Sequence, residues 1–310
     1  MSKKITVVMP FLNEKRETLR TIESICKTSN QSDVNIIAID DHSDIIRKLP
    51  NLNNLTVMRN HKRIGVDASR QLGVESSQTD RILVIDAHMR FRPGWVEEMT
   101  SCIDKAPETL WCCICLALGH GSGEIDVHKG KYFGADMVFV NKDAKKDRPA
   151  RDCIEPKWAD ERKDEEYPIP CILGANYFFS KRWFEYIGGL RGLKSWGTSE
   201  PFLSIKSYLA GGDCRITKKI EIGHIFRDNA PYATNVCDLV YNKILLCKTL
   251  LPDEVGSKLM GYLPKDRSWR IAQRMVKRNA ENIEKLKAHS DSVRTSSIHA
   301  YCQRFDIRLP

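Results

Sequence analysis

The chain has no apolar run near the roughly 18 residues that a membrane-spanning helix needs. Nor do we expect a signal peptide, since Met1, Ser2, Lys3 and Lys4 pass straight into Ile5–Met9, which reads as an apolar strand. Both absences lead us to expect a cytoplasmic protein. There is no internal repeat of the kind a solenoid needs, and no low-complexity tract. The 11 cysteines are an odd number without framework spacing, which argues against a disulfide scaffold. Cys112, Cys113 and Cys115 fall inside the apolar run Leu110–Leu118, and no Cys or His pair follows at finger distance. Reduced thiols packed in a core fit that run better than a zinc site. The stretch Pro10–Glu14 is neither glycine-rich nor basic, which counts against a nucleotidyltransferase. No recognised DNA-binding motif is present.

What is present is a large core and a positive balance. Of the 310 residues 42% are hydrophobic and 29% charged, with a formal net charge of +9. That is ample for one large domain, alone or with an appendage. The excess of Lys and Arg suits an anionic partner without selecting among nucleotide, nucleic acid and acidic surface. Short β-type runs, Ile5–Met9 (closed by Pro10), Val34–Ile39, Leu55–Met58, Ile82–Ile85 and Leu110–Leu118, alternate with helical spacing over Glu17–Thr28, Gly65–Ser76 and Trp95–Ile103. Such alternation predicts parallel βαβ units in an α/β sheet. From Gly119 to Pro170 it breaks down. There Tyr132–Val140 reads as a hairpin arm and Asn141–Glu166 as a charge-dense insertion. Ile172–Ser180 resumes as a strand and Arg182–Ile187 as a helix. Beyond residue 230 the spacing turns helical, with Asp238–Leu250 and a basic helix Ser268–Lys287 in a 231–310 appendage.

The run Ile82–Ile85 ends abruptly in Asp86, Ala87 and His88. Alternating side chains put Asp86 and His88 on one side, at the carboxyl end of a strand, where open α/β sheets bind ligands. A carboxylate and an imidazole at that spacing can hold a divalent cation. A helix-capping acid followed by a surface histidine satisfies the same residues.

In order and spacing, four stretches resemble the nucleotide-sugar half of GT-A glycosyltransferases, family 2 in particular. They are Pro10-Phe11-Leu12-Asn13-Glu14, Asp40-Asp41-His42-Ser43, the segment from Asn60 through Arg63, Gly65 and Ala68 to Arg70, and Asp86-Ala87-His88. The second half is similar to acceptor-side stretches of the same fold, through Gly174-Ala175-Asn176 and Trp196-Gly197-Thr198-Ser199-Glu200. The stretch Gly223-His224-Ile225-Phe226-Arg227 resembles one in polypeptide N-acetylgalactosaminyltransferases. The resemblance spans roughly residues 4–228. It implies a GT-A domain over 1–230, divided into a donor half (1–118), an insertion (119–170) and an acceptor half (171–230).

The resemblance further implies a nucleotide-sugar donor, UDP-linked by expectation, held by Pro10, Phe11, Asn13, Glu14, Asp40, Asp41, Arg63, Gly65, Arg70, Asp86 and Ala87. Carboxylates there would accept from ring N–H and ribose hydroxyls, and Arg63 or Arg70 would neutralise a diphosphate. Gly174, Ala175, Trp196 and Gly197 would face acceptor and sugar. Asp86, His88 and His224 would bind Mn2+ or Mg2+. The family's first acid in the Trp-Gly segment falls on Ser199, and the next position, the general base of inverting enzymes, on Glu200. Glu200 followed by Pro201 is also an ordinary helix start. The acceptor is expected to be a glycan, or a hydroxymethylated base in DNA contacted by the basic 142–151 loop and the 265–278 helix. A binding module without turnover on the same fold is the alternative.

Overall fold

The computed structural model describes residues 4–45, 48–119, 124–141, 152–226 and 234–310. The strands β1 (Ile5–Phe11), β2 (Val34–Asp40), β3 (Leu55–Arg59) and β4 (Arg81–Ile85) alternate with α1 (Lys15–Thr28) and α2 (Val66–Ser76). They form the parallel half of a sheet in which β1 lies between β2 and β4. After β4 come β5 (Met89–Phe91), α3 (Trp95–Lys105), β6 (Thr109–Leu118), β7 (His128–Tyr132), β8 (Ala135–Val140), β9 (Cys153–Trp158), β10 (Glu166–Pro168), β11 (Asn176–Ser180), α4 (Lys181–Tyr186), α5 (Ser199–Leu209) and β12 (Asp213–Ile225). The sheet runs β10-β12-β6-β11-β4-β1-β2-β3, with β5 on β12 and β7 on β6.

Why the strands read as unbroken apolar runs is visible in the packing. Val8, Ile82 and Val84 enter one core, with Val74 of α2 and Phe202 and Leu203 of α5. Their neighbours Val7, Met9, Leu83 and Ile85 enter the other, with Ile22 and Ile25 of α1 and Trp95 and Met99 of α3. Both faces of the sheet are covered, so alternation in direction leaves no alternation in polarity. Each fully buried aliphatic side chain contributes about 1.5–3 kcal/mol.

Several expectations need correction. Pro10 does not close β1: it pairs in register with Ile39 of β2, beyond the last residue of β1 aligned with β4. β11 begins at Asn176, not Ile172, and is antiparallel to both β4 and β6. Tyr132–Val140 is two strands, not one arm. Gly134, at φ 84°, turns the chain between β7 on the main sheet and β8, which pairs with β9 in a separate hairpin. The basic loop 142–151 lies outside the described residues.

The C-terminal segment forms α6 (Val236–Leu250), α7 (Asp253–Gly261), α8 (Arg267–Arg278), α9 (Ala280–Ser292) and α10 (Ile298–Arg304). The expected helix 268–287 is therefore broken. At Asn279 the backbone N–H bonds to Met275 O and Val276 O and the side-chain amide to Met275 O at 2.8 Å, ending α8. These helices share a core with the sheet rather than lying beside it. Lys243 of α6 is buried and donates to Glu155 of β9 at 2.5 Å, and Tyr301 of α10 donates to Pro170 O at 2.8 Å. No helix among the described residues is long and apolar enough to cross a membrane. All 11 cysteines are unbridged thiols, buried except for the half-buried Cys26 and Cys237. Burial pushes Cys112 up to about 12, despite an opposing backbone contact from Leu173, so it stays protonated and makes a poor metal ligand.

Candidate active site

The site lies at the carboxyl ends of β1, β2 and β4, to which the end of β12 is joined through its pairing with β5. Asp86 follows β4, and its N–H is held by the Ala175 carbonyl at 3.2 Å. The turn through Ala87 is clamped from α1. Thr21 Oγ1 donates to Ala87 O at 3.0 Å and accepts from Met89 N–H at 2.9 Å. β12 pairs with β5 so that His224 is opposite Met89, and Ile225 N–H bonds to His88 O at 3.1 Å. Residues 136 positions apart thereby meet. The ligand atoms of Asp86, His88 and His224 all lie within 4.8 Å of one another. The imidazole rings are 4.7 Å apart at 46°. Asp86 Oδ2 is 3.3 Å from His224 Nε2 and 3.9 Å from His88 Nε2.

Each member has a support. Glu14, just after β1, places Oε2 2.9 Å from His88 Nδ1. An ionised carboxylate only accepts, so Nδ1 carries the hydrogen and Nε2 turns its lone pair toward Asp86. Asp86 Oδ1 accepts from buried Arg70 at 2.9 Å, and the same guanidinium nitrogen donates to Gly174 O at 3.0 Å. Burial alone would raise the Asp86 carboxyl. The hydrogen bond from His224 and the charge of Arg70 outweigh it and hold the group well below the usual carboxylate range. A fixed anion with two imidazole nitrogens is a donor set that fits a divalent cation of borderline softness.

The loops after β1 and β2 and before α2 are laced together. Asn13, at φ 59°, exchanges two 2.9 Å hydrogen bonds with Asp44, and Asp44 pairs with Arg63 at 2.5 Å. Asp40 accepts from Ser43 N–H at 2.8 Å and is paired with Arg59. Asp41 Oδ1 accepts from Asn60 at 2.8 Å and Ile64 N–H at 2.9 Å, and its Oδ2 from Gly65 N–H at 2.9 Å. Phe11 lends its carbonyl to Asp41 N–H at 2.9 Å. The structure therefore brings Asn13 and Arg63 together at the loop rim and sets Arg70 beneath Asp86.

On the opposite wall, Gly65 forms a bridge with Ser195, and a Cβ on it would lie 2.3 Å from Ser195 Cα. Trp196 is 39% exposed, and Gly197 O accepts from Asn242 of α6 at 2.9 Å. Glu200 lies in the first turn of α5, with its carboxylate folded over Gly174, where a Cβ would sit 1.9 Å from Oε1. Ser199 Oγ donates to Glu200 Oε2 at 3.3 Å. Sequence reasoning missed one acid of this cluster, Asp67 of α2. It is wholly buried and 3.4 Å from Arg70. The sequence carries no signal for it, because the buried face of α2 is largely polar.

Comparison with known proteins bears on this geometry. Residues 6–168 match the family described as glycosyl transferase family 2. Over 242 residues the chain is 27% identical to mouse polypeptide N-acetylgalactosaminyltransferase 4, covering 74% of this chain and 40% of the relative. The Caenorhabditis elegans polypeptide N-acetylgalactosaminyltransferase 4 is 25% identical over 249 residues, covering 73% and 39%. The chain thus spans about 40% of the length of the curated relatives it matches. Among solved structures, GalNAc-T7 with UDP, GalNAc and Mn2+ superposes with a TM-score of 0.73 at 17% identity, covering 98% of this chain and 57% of that one. Staphylococcus aureus TarS 1-349 with UDP-GlcNAc gives 0.51 at 11% identity, covering 83% and 70%. The fold is that of GT-A enzymes.

Proposed function

For a chain that belongs to glycosyl transferase family 2, we propose transfer of a sugar from a UDP-linked donor to an acceptor hydroxyl, dependent on a divalent cation. The single observation that carries this is the convergence of Asp86, His88 and His224 at the strand ends. Two imidazoles and one carboxylate suit Mn2+ better than Mg2+, which prefers all-oxygen octahedra. The UDP bound to GalNAc-T7 and the UDP-GlcNAc bound to TarS support that choice of donor, and the Mn2+ of GalNAc-T7 supports that choice of metal. When bound, the cation supplies Lewis-acid stabilisation of the departing diphosphate.

The chain's own residues do the rest. Arg70 fixes Asp86, and Glu14 fixes the His88 tautomer. The rim formed by Pro10, Phe11, Asn13, Asp40, Asp41, Arg63, Gly65 and Ala87 cradles base, ribose and diphosphate. Gly174, Ala175, Trp196 and Gly197 form the wall toward sugar and acceptor, with residues 1–118 the donor half and 171–230 the acceptor half. Glu200 takes the proton of the acceptor hydroxyl as its oxygen attacks the anomeric carbon, which inverts the configuration. The acceptor is a glycan or a hydroxymethylated base in DNA. The second is favoured by α8, whose Arg267, Arg270, Arg274, Lys277 and Arg278 are all exposed. On α9, by contrast, Lys285 and Lys287 each pair with an acid.

The test is release of UDP from a panel of UDP-sugars with Mn2+, with and without hydroxymethylated DNA or glycans. Activity should vanish in excess chelator and return with added metal. Glu200→Gln should lower kcat by about 10²–10⁴-fold while donor binding stands. Undiminished turnover in chelator would remove the cation from the reaction, and an unchanged kcat in E200Q would move the base elsewhere. DNA affinity that stays flat across salt concentration would eliminate the nucleic-acid acceptor.

A further inference from the structure

One guanidinium at the floor of the site serves more acids than it can neutralise. Arg70 is surrounded by the Tyr177 phenol and by the carboxylates of Asp86, Asp67 and Glu200. These groups arrive from α2, the end of β4, β11 and α5. Asp86 and Glu200 are partly exposed, but Asp67 is wholly buried, and it is there that an ionised carboxylate short of compensation is most expensive. Arg70 does not divide itself evenly. One nitrogen is committed to Asp86 at 2.9 Å and Gly174 O at 3.0 Å, leaving Asp67 a contact of 3.4 Å, long for a charge-assisted bond. Asp67 has no exposed surface, and among the described residues its Oδ2 has no hydrogen-bond partner. The Ser199 side chain faces it from α5. That hydroxyl is also the one that donates to Glu200 Oε2 at 3.3 Å. Ser199 stands where the resemblance expects an acid, and Asp67 brings a carboxyl to the same residue from another helix.

We propose that Asp67 is kept as a neutral carboxylic acid whose O–H donates to Ser199 Oγ, committing the Ser199 hydroxyl hydrogen to Glu200 and fixing the base over Gly174. Asp67 is thus a positioning residue, and the inference rests on the reading of Glu200 as the base. Electrostatics agree. Burial and the Glu200 charge push the Asp67 carboxyl up, against the pull of Arg70 and Ser199, to about 7. Above that pH Asp67 becomes an acceptor, Ser199 turns its hydrogen toward it, and Glu200 loses its donor.

The experiment compares kcat, donor KM and pH profiles of wild type, Asp67→Ala, Asp67→Asn, Ser199→Ala and Glu200→Gln, all at saturating Mn2+. Asp67→Ala should lower kcat by up to about 100-fold, the scale of a misplaced catalytic group, with donor KM unchanged. Asp67→Asn keeps a donor at that position and should rescue most of the loss. Wild-type kcat should decline as pH rises through about 7, and Asp67→Asn should lack that decline. If Asp67 is instead an ionised partner of Arg70, Asn breaks the pair as Ala does. Equal loss in both variants, or no loss in either, overturns the proposal. Should Asp67→Ala fail to fold, Ser199→Ala carries the same expectation of lowered kcat at unchanged KM, and wild-type kcat there overturns it too. A fully active Glu200→Gln removes the base reading itself. A crippled Glu200→Gln beside equal Asp67 variants removes only the role of Asp67.

Discussion

Two parallel strands that flank β1, β2 and β4, both end in acids, and the chain treats the two ends differently. At the end of β2, Asp41 accepts three hydrogen bonds from Asn60, Ile64 and Gly65, and Asp40 is held by Ser43 and Arg59. At the end of β4, Asp86 receives one strong donor, Arg70, and turns its other oxygen toward two imidazoles. The sequence motifs look alike, but the donors differ. Acids answered by backbone N–H groups set the shape of a loop. An acid answered by imidazoles that could ligate a metal beside it marks a candidate place for something the chain does not supply.

The comparison breaks most visibly at β4. Asp86→Ala or His224→Ala should abolish turnover and Mn2+ binding while the circular dichroism spectrum stays native. Retained Mn2+ affinity in either variant would take the metal away from this corner. A smaller effect is expected one step out, at Glu14→Gln. An amide can still bond to His88 but no longer enforces its tautomer, so Mn2+ affinity should fall by about 10–100-fold, as for outer supports of metal ligands generally. Titration of Mn2+ against the variant measures it, and an affinity equal to wild type would leave Glu14 only its place before α1. The smallest effect on chemistry belongs to β2. Asp41→Ala strips three donors of a charged acceptor and should cost about 1.5–3 kcal/mol or more of stability in a denaturant titration. Its Mn2+ affinity should be that of wild type, and a large loss of metal binding there would erase the distinction between the two strand ends.

Much of this was legible in the chain itself. The strands β1, β2 and β4 announced themselves because both faces are buried, and the Asp86, His88, His224 set followed from a resemblance that the folded geometry brings within 4.8 Å. Strand direction was not legible. Nothing in the apolar run of β11 distinguishes an antiparallel insertion between β4 and β6 from another parallel step. The break at Asn279 had a local signal, Asn after Lys277 and Arg278 at a helix end, but the apolar period continued across it. Asp67 was invisible for a different reason. α2 buries Asp67, Ser69, Arg70 and Gln71 along with Val74, so its inward face is polar and hydrophobic spacing says nothing about it. A polar floor under a site is a tertiary fact.

The distribution of thiols gives the experimenter a convenience. Nine of the 11 cysteines are sealed in the cores, and burial raises Cys112 to about 12. The half-buried pair, Cys26 on α1 and Cys237 at the start of α6, stands on two different layers of the molecule. The unaltered chain therefore already carries two attachment points for a donor and an acceptor dye, one on the helix behind the strand ends and one on the helix whose Asn242 holds Gly197. Energy transfer between them reports whether the two walls approach when a nucleotide is added, without the removal of a single native residue.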